Sequence, residues 1–408
     1  MANSKRRAVC TIVCANYLPH AMTLYQSVAR VDPEAHFFIM LIDCDGRCRP
    51  PARERLTFLV PDDLGLQNFR TLAFIYSILE LCTNIKPTLL RYLLDTTGAE
   101  KVIYFDPDIR VYSSISVLFS MLDEHSIVLI PHATVPIDND LRPSELDLLR
   151  SGAYNLGFIG LSASDETSRM LDWWEDRCQT NGFREHSYGM FVDQKWADLF
   201  GSYYDSVYIN KHIGCDVAYW NLHYRHLSKR NQHWYVNGNV PLIFFHFSGI
   251  HPEDIESISK YQNRYTLSSR PDLVEIFAEY RDQLVANGYT EGHPYRYRYD
   301  YFDNGQGIPD IARKMLYLQQ GWFAQGDSFS SKGPFYVWLK RNGMVGSAKT
   351  KERYNVMNYN PRDVRLRMMH RCFRLLLRFL GIDRYSMLMK YLAYISIPRN
   401  QGEIFIKR

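Results

Sequence analysis

Lys101-Val-Ile-Tyr-Phe-Asp106-Pro-Asp108-Ile-Arg-Val-Tyr-Ser-Ser114 is the stretch whose reading decides the fold. Val102, Ile103, Tyr104 and Phe105 form an apolar run of β-branched and aromatic residues, which reads as a short buried strand. Pro107 has no backbone donor and suits a central strand poorly, so the strand stops there. If the backbone stays extended, Asp106 and Asp108 project to one side, because strand side chains alternate. Two carboxylates at the carboxyl end of a buried strand suit a hard divalent cation, and ligand sites in open α/β sheets lie at such ends. The plainer reading is a polar turn, for which Asp and Pro are common residues.

Strand and helix alternate around this stretch. Ala8 to Ala15 reads as the first strand and Pro19 to Val31 as a helix. His36 to Ile42 is a second strand, followed by a polar loop through Asp43 and Asp45. Phe69 to Leu81 and Pro87 to Leu94 read as helical. Ile127 to Ile130 and the glycine-containing Asn155 to Leu161 read as further strands, and Glu166 to Cys178 as an amphipathic helix carrying Trp173 and Trp174. The alternation over roughly 250 residues predicts a layered α/β domain on a largely parallel sheet. Beyond about Arg270 strands fade. Asp272 to Ala286 and Ile308 to Gln319 read as helices, Gly321 to Ser347 as irregular, and Val364 to Leu380 as the clearest helix of the tail. The expected division is a catalytic domain over 1–268 and a helical, basic extension over 269–408.

At 408 residues the chain is long for a single core. Its 29 Tyr and 22 Phe suit sugar binding or buried irregular loops. No run of about 18 apolar residues predicts a membrane-spanning helix. Lys5-Arg6-Arg7 before Ala8 to Ala15 faintly resembles a signal peptide, but no small-residue cleavage site follows, and a core strand is the better reading. The eight cysteines are Cys10, Cys14, Cys44, Cys48, Cys82, Cys178, Cys215 and Cys372. Several lie in apolar runs, as buried free thiols do, and a reducing, cytoplasmic setting fits them best.

From Pro361 to Arg408 eleven Lys or Arg face three Asp or Glu, a net +8 in a chain of net +4. Leu366, Met369, Phe373, Leu376 and Leu380 fall on one helical face, and Arg367, Arg371, Arg374 and Arg378 on the other. Such a helix either docks on the core with a solvated basic face or lies on an anionic membrane surface, here the inner face of the membrane. Nucleic acid is the weakest partner, because no recognition module accompanies the charge.

Four further stretches matter: Lys86-Pro-Thr-Leu-Leu-Arg91, Tyr154-Asn155-Leu-Gly157-Phe, Val192-Asp193-Gln194, and Phe245-His246-Phe-Ser-Gly249 after the apolar run Val240 to Phe244. With the Asp pair, in this order, they resemble glycosyltransferase family 8, the retaining sugar transferases of the GT-A fold, over roughly Val9 to Gly249. The bacterial members that build surface polysaccharide or lipooligosaccharide are the nearest in kind. The resemblance implies a Rossmann-like nucleotide-diphospho-sugar transferase domain. It implies that Asp106, Asp108 and His246 hold Mn²⁺ or Mg²⁺ on the donor diphosphate. Arg91 and Lys86 would contact the diphosphate or donor sugar. Asn155, Asp193 and Gln194 would line the sugar pocket, with Asp193 and Gln194 stabilising the transition state. Ala15, Asn16 and Tyr17 would face the nucleotide, by default a uridine. The acceptor would be a saccharide or a lipid-linked glycan.

Two departures stand out. Family members follow His-x-x-Gly with Lys-Pro-Trp, whereas this chain has Ile250-His251-Pro252-Glu253. Lys260 or Arg264 is the candidate to replace the missing lysine. The acidic residue common in the first strand's loop is Asn16 here.

The chemistry stands apart from the resemblance. Breaking an anomeric C–O bond builds charge on the leaving phosphate, and a divalent ion held by two carboxylates and an imidazole neutralises it. Two oxygens and one nitrogen suit Mn²⁺ better than Ca²⁺ or Mg²⁺.

Each residue also has a plainer use. His246 reads as a satisfied strand-end histidine, Asn155 with Gly157 as a turn or bulge device, Asp193 as a helix cap, and Gln194 and Arg91 as surface residues. Trp220-Asn221 reads as acceptor-pocket wall or as core. A sugar nucleotidyltransferase would open with a glycine-rich phosphate loop after strand one, and Ala15 to Pro19 contains no glycine. The remaining alternative is a non-catalytic sugar- or nucleotide-sugar-binding protein on the same fold.

Overall fold

The computed structural model describes residues 6–44, 49–139, 141–290, 296–319, 326–345 and 363–406. The chain forms two compact units. One comprises Met1–Phe69 with Ile78–Tyr295, the other Arg70–Ser77 with Arg296–Arg408. The Val274–Ala286 helix, assigned to the extension on sequence, belongs to the first unit.

The first unit is built on a seven-stranded sheet. Its strands are β1 (Arg7–Val13), β2 (His36–Leu41), β3 (Leu56–Leu59), β4 (Lys101–Phe105), β6 (Ile127–Leu129), β7 (Phe158–Ser162) and β8 (Val207–Ile209). Between β4 and β6 runs β5 (Ile109–Val111). The order across the sheet is β3-β2-β1-β4-β7-β6-β8. β1, β2, β3 and β4 run parallel, and β6 runs parallel to β8. β7 runs against both of its neighbours, β4 and β6. This is the layered α/β architecture expected from the alternation of elements.

The central strands β1 and β4 are buried almost throughout, as strands covered on both faces should be, which is why they read as continuous apolar runs. One side packs Val9, Ile39, Ile103 and Phe105 against Ala21, Leu24 and Val28 of the Leu18–Val31 helix. Cys10, Cys14, Cys178 and Cys215 are buried and outside any disulfide, as expected. Cys44 departs from the expectation, being disulfide-bonded.

Two small sheets complete this unit. β9 (Leu227–Arg230), β10 (His233–Val236) and β11 (Val240–Pro241) form an antiparallel meander. β12 (Phe244–His246) pairs antiparallel with β5, placing His246 opposite Ile109. That pairing positions the site.

The second unit is helical among its described residues, with helices at Asp310–Leu318, Pro334–Arg341 and Val364–Ile395. Phe74 packs against Phe302, Phe329 and Phe335. Arg313, 4% exposed, donates to the carbonyls of Phe74 (2.7 Å) and Tyr299 (2.9 Å) and to Asp300 (2.7 Å). The Pro334–Arg341 helix lies inside the stretch expected to be irregular. Glycines 321 and 346 and residues 347–362 lie outside the described residues. The Val364–Ile395 helix is longer than its apolar pattern indicated and breaks at Gly381, whose φ of 75° is open to glycine at no steric cost.

Candidate active site

At the end of β4 the chain does not stay extended. Ile109 N donates to Asp106 O (3.1 Å), which closes a turn over Pro107 and launches β5. Phe247 N in turn donates to Asp108 O (2.9 Å), which locks the turn to the end of β12. The turn and the ligand readings of Asp-Pro-Asp are therefore both met: the turn delivers both carboxylates to His246. His246 Nε2 lies 3.0 Å from Asp108 Oδ1 and 3.8 Å from Asp106 Oδ2. One donor atom from each residue falls within 4.8 Å of the others.

The electrostatics fit a cation site. Burial works against a charged His246, but the carboxylates of Asp108 and Asp216 outweigh it and hold the imidazole up at about 10. Burial raises the Asp106 carboxyl, opposed by the Lys86 ammonium. Asp108 is also pushed up by burial, and His246 more than reverses this and lowers it. Tyr104 OH, one strand pleat away, donates to Asp106 Oδ1 (2.8 Å) and fixes that carboxylate. The imidazole is 3% exposed, while Asp106 and Asp108 keep 31% and 18% of their side chains open on the side a ligand would enter. Two carboxylate oxygens and one imidazole nitrogen together could hold a divalent cation.

Asn155 and Gly157 shape the wall behind His246. Asp106 N donates to Gly157 O (2.8 Å). A Cβ at Gly157 would fall 2.4 Å from His246 Cε1 and 2.6 Å from Asn155 Oδ1, so no larger residue fits. Asn155 Oδ1 accepts from Gly157 N (3.0 Å), and its Nδ2 meets His132 Nε2 (3.3 Å). The turn-device reading of Asn155 is the one its hydrogen bonds express.

Lys86, Asp193 and Gln194 also reach this wall. Lys86 Nζ lies 2.6 Å from Asp193 Oδ2, donates to Leu156 O (2.7 Å) and sits 4.3 Å from the Tyr104 ring centroid. Both side chains of the pair are sealed, at 1% and 2% exposure. Lys86 is thus the counter-ion of Asp193, where a phosphate ligand was expected. Burial holds the Asp193 carboxyl up at about 6 despite the ammonium beside it. Gln194 is buried, with Oε1 accepting from Leu156 N (3.0 Å) and Nε2 donating to Ser151 O (2.9 Å). Its amide holds two loops together.

The loop after β1 reaches the same end of the sheet. Ala15 to Tyr17 form a single 3-10 turn, and Ala15 N donates to Asp43 Oδ1 (3.1 Å) at the end of β2. Asn16 Oδ1 is buried without a hydrogen-bond partner. Tyr17 stacks on His20, with ring centroids 4.5 Å apart. Burial, with the nearby Asp108 charge, pushes the Tyr17 phenol up. Burial pushes the His20 imidazole down to about 4, against the pull of Asp108.

Arg91 is not brought to the site. Its guanidinium pairs with Asp172 (2.7 Å) and Glu175 (3.1 Å) of the Asp165–Asn181 helix. The reason is helical phase: five residues from Lys86 at about 100° each turn Arg91 to another face. Arg264 is likewise committed, to Asn139 Oδ1 (2.7 Å) and the carbonyls of Leu141 and Pro143 (both 2.9 Å). Lys260 is exposed, and its backbone N donates to Gly249 O (3.0 Å), so the chain returns it beside the His-x-x-Gly turn.

Sequence reasoning missed Asp216. Asp216 is fully buried, its Oδ1 3.4 Å from His246 Nδ1. Asn221 Nδ2 donates to Asp216 O (2.7 Å) and His132 O (3.1 Å), and its Oδ1 accepts from Ala218 N (3.0 Å). It is buried and clamps a loop, the core reading of Trp220-Asn221. Trp220 packs edge-on to His246 at 5.1 Å. The only sequence signal for Asp216 is its type: Asp tolerates the left-handed backbone found there, with φ of 53°.

No family model matches the chain. The chain is 27% identical over 289 residues to YfnF of Bacillus subtilis (strain 168), a protein named only as uncharacterized, covering 69% of this chain and 94% of that one. It is 24% identical over 253 residues to YfnD of the same organism, likewise named, covering 59% and 76%. Among solved structures it is similar to the galactosyltransferase LgtC in complex with donor and acceptor sugar analogues, at 15% identity and TM-score 0.40, covering 71% of this chain and 99% of that one. It is also similar to the glycosyltransferase GlyE of Streptococcus pneumoniae TIGR4, at 14% identity and TM-score 0.39, covering 77% and 73%. A third similar structure is the bifunctional glycosyltransferase WbbM, at 11% identity and TM-score 0.38, covering 71% and 53%.

Proposed function

We propose that the chain is a cation-dependent glycosyltransferase of the GT-A, family 8 type. It moves a hexose from a nucleotide-sugar, UDP-linked by default, to a saccharide or lipid-linked glycan of the cell surface, with retention. One observation carries the reading: Asp106, Asp108 and His246 are drawn from two distant stretches to one point at the carboxyl end of β4. A divalent ion bound there supplies charge neutralisation for the leaving diphosphate. Asp106 and Asp108 orient the donor, with Tyr104 fixing the first. The Ala15–Tyr17 turn offers the nucleotide the partly exposed Tyr17 ring and the Asn16 amide oxygen, which has no hydrogen-bond partner among the described residues. Lys260 is the nearest candidate for the cation missing after Gly249. The Lys86–Asp193 pair backs the sugar side. Gln194 has both amide atoms tied to backbone, which favours attack by the acceptor on the face the diphosphate leaves over a covalent glutamine intermediate.

Titration calorimetry of UDP with and without Mn²⁺ tests this reading. Binding should tighten by at least about tenfold with the ion, a difference of about 1.4 kcal/mol. Equal affinities would leave a nucleotide-binding scaffold as the better account.

A membrane surface is the second expected partner. Among the described residues no helix is long and apolar enough to cross a bilayer. The Val364–Ile395 helix buries Leu366 alone, and leaves Met368 61%, Phe379 86% and Met387 71% exposed among its arginines. Of the stripe itself Leu366 is buried, Phe373 and Leu380 are half-buried, and Met369 and Leu376 are exposed, which supports docking at one end and leaves apolar surface along the rest. An exposed apolar and basic helix suits an anionic bilayer, where each basic residue contributes about 1 kcal/mol. Phosphatidylglycerol vesicles should sediment the chain and phosphatidylcholine vesicles should not. Phe379→Glu with Met387→Glu should weaken sedimentation by about tenfold or more, since burying one such side chain is worth about 1.5–3 kcal/mol. Equal sedimentation of the variant would retire the membrane role.

A further inference from the structure

We propose that Asp216 is a positioning residue for the cation site: its carboxylate turns the His246 ring so that Nε2 faces Asp106 and Asp108. The inference rests on the cation-site reading above and adds a residue to it.

The backbone builds the contact. Val217 N donates to Phe244 O (3.3 Å) and His246 N donates to Val217 O (2.9 Å), so Asp216 rides in register beside β12. Asp216 holds a left-handed φ of 53°, and the Asn221 amide secures that bend by bonding Asp216 O. The side chain therefore has one direction to point. It ends 3.4 Å from His246 Nδ1 with 0% of its surface exposed. Among the described residues the imidazole is the only ion-pair partner of this carboxylate. A buried carboxylate with no other ion-pair partner among the described residues leans on that ring, since a buried charge left unpaired is strongly unfavourable.

Packing alone does not orient the imidazole. Trp220 lies edge-on to it, and the backbone at Gly157 presses on Cε1. These contacts fix the plane of the ring. They are nearly indifferent to a half-turn about the Cβ–Cγ axis, because carbon and nitrogen positions are almost isosteric. After such a turn Cε1–H would face Asp108 and the ligand nitrogen would be lost. A carboxylate at Nδ1 breaks the tie, because only one of the two orientations presents it with an N–H. It also selects the tautomer, since a proton held on Nδ1 leaves the Nε2 lone pair for a cation.

The test is titration calorimetry of MnCl₂ and of MgCl₂ into the full chain, wild type, Asp216→Asn, Asp216→Ala and His246→Ala. Asp216→Ala should weaken Mn²⁺ by about 10–100-fold. Asp216→Asn should weaken it less, because an amide oxygen still places partial negative charge beside Nδ1. The ratio of Mn²⁺ to Mg²⁺ affinity should fall toward that of His246→Ala, since the site has lost its nitrogen ligand. If Asp216→Ala fails to melt cooperatively, the near-isosteric Asp216→Asn decides alone. Wild-type Mn²⁺ affinity in the folded variants would overturn the proposal. So would an equal loss for both ions with the ratio unchanged, which a merely loosened fold would give. A wild-type chain that takes up no Mn²⁺ would sink the cation site itself, and this inference with it.

Discussion

Asp108→Asn abolishes cation-supported sugar transfer and leaves the chain folded. The substitution keeps the shape of the side chain and removes one of the two negative charges on the Nε2 side of His246. In the wild type Asp108 Oδ1 is 3.0 Å from Nε2, and its backbone carbonyl accepts from Phe247 N. Only the side-chain contact changes, so the junction of β5 and β12 stays. A bound ion contributes several kcal/mol of charge stabilisation to the departing diphosphate. At 1.36 kcal/mol per decade, losing about 4 kcal/mol is a loss of about 10³-fold. Asp106→Asn should fall as far and also weaken the bond from Tyr104 OH. The measurement is hexose release from a panel of UDP-, GDP- and TDP-sugars with Mn²⁺ present, alongside thermal melts of each variant. Unchanged turnover of Asp108→Asn at saturating donor would remove the catalytic reading of the triad.

How far such a site could be read from the sequence depends on how local its signals are. Asp106 and Asp108 announce themselves because a buried run ends on them. His246 is legible for the same reason, at the end of the run from Val240. The register that brings them together, Ile109 opposite His246, is not local, and no spacing in the sequence reveals it. Arg91 failed because its role was carried over by motif, while its helix phase turns it toward Asp172 and Glu175. Asn155 bonds Gly157 N within its own turn, as its spacing from the glycine suggested, whereas Gln194 bonds backbone atoms of neighbouring loops, a use that no spacing reveals.

The missed strands have physical reasons too. β3 holds four residues, and β8 three that are only partly covered, too few to show a period. The β9–β10 hairpin turns on Asn231 and Gln232, both at positive φ. Asn-Gly is the usual signal for that turn, and glutamine in the second place hides it. The tail was legible as an amphipathic basic helix, but the sequence could not say that Met369 and Leu376 of its apolar stripe would stay exposed.

Lys86→Met destabilises the first unit by about 3–5 kcal/mol, the range for removing one partner of a buried ion pair. Methionine keeps the apolar stem packed near Tyr104 but withdraws the ammonium 2.6 Å from Asp193. The carboxylate is then left sealed with no counter-charge. The defect should depend on pH, and its sign follows from the direction in which Asp193 is shifted. Burial raises the Asp193 carboxyl from its ordinary 3.8 to about 6 in the folded chain. The folded state thus holds this proton more tightly than the unfolded state. The stability this confers is complete below about 3.8 and drains away as pH rises through about 6. Without Lys86 the carboxyl moves higher still, so the draining limb extends further up the pH scale. The gap between wild type and Lys86→Met should therefore be small near pH 5, where Asp193 is largely protonated in both folded chains, and widest near pH 8. Asp193→Leu on top of Lys86→Met should recover part of the loss, because it removes the stranded charge as well. Denaturant melts of the two single variants and the double variant at both pH values measure the coupling. A Lys86→Met defect of the same size at pH 5 and pH 8 would mean that the ammonium stabilises the chain through Leu156 O and the Tyr104 ring, and not through Asp193.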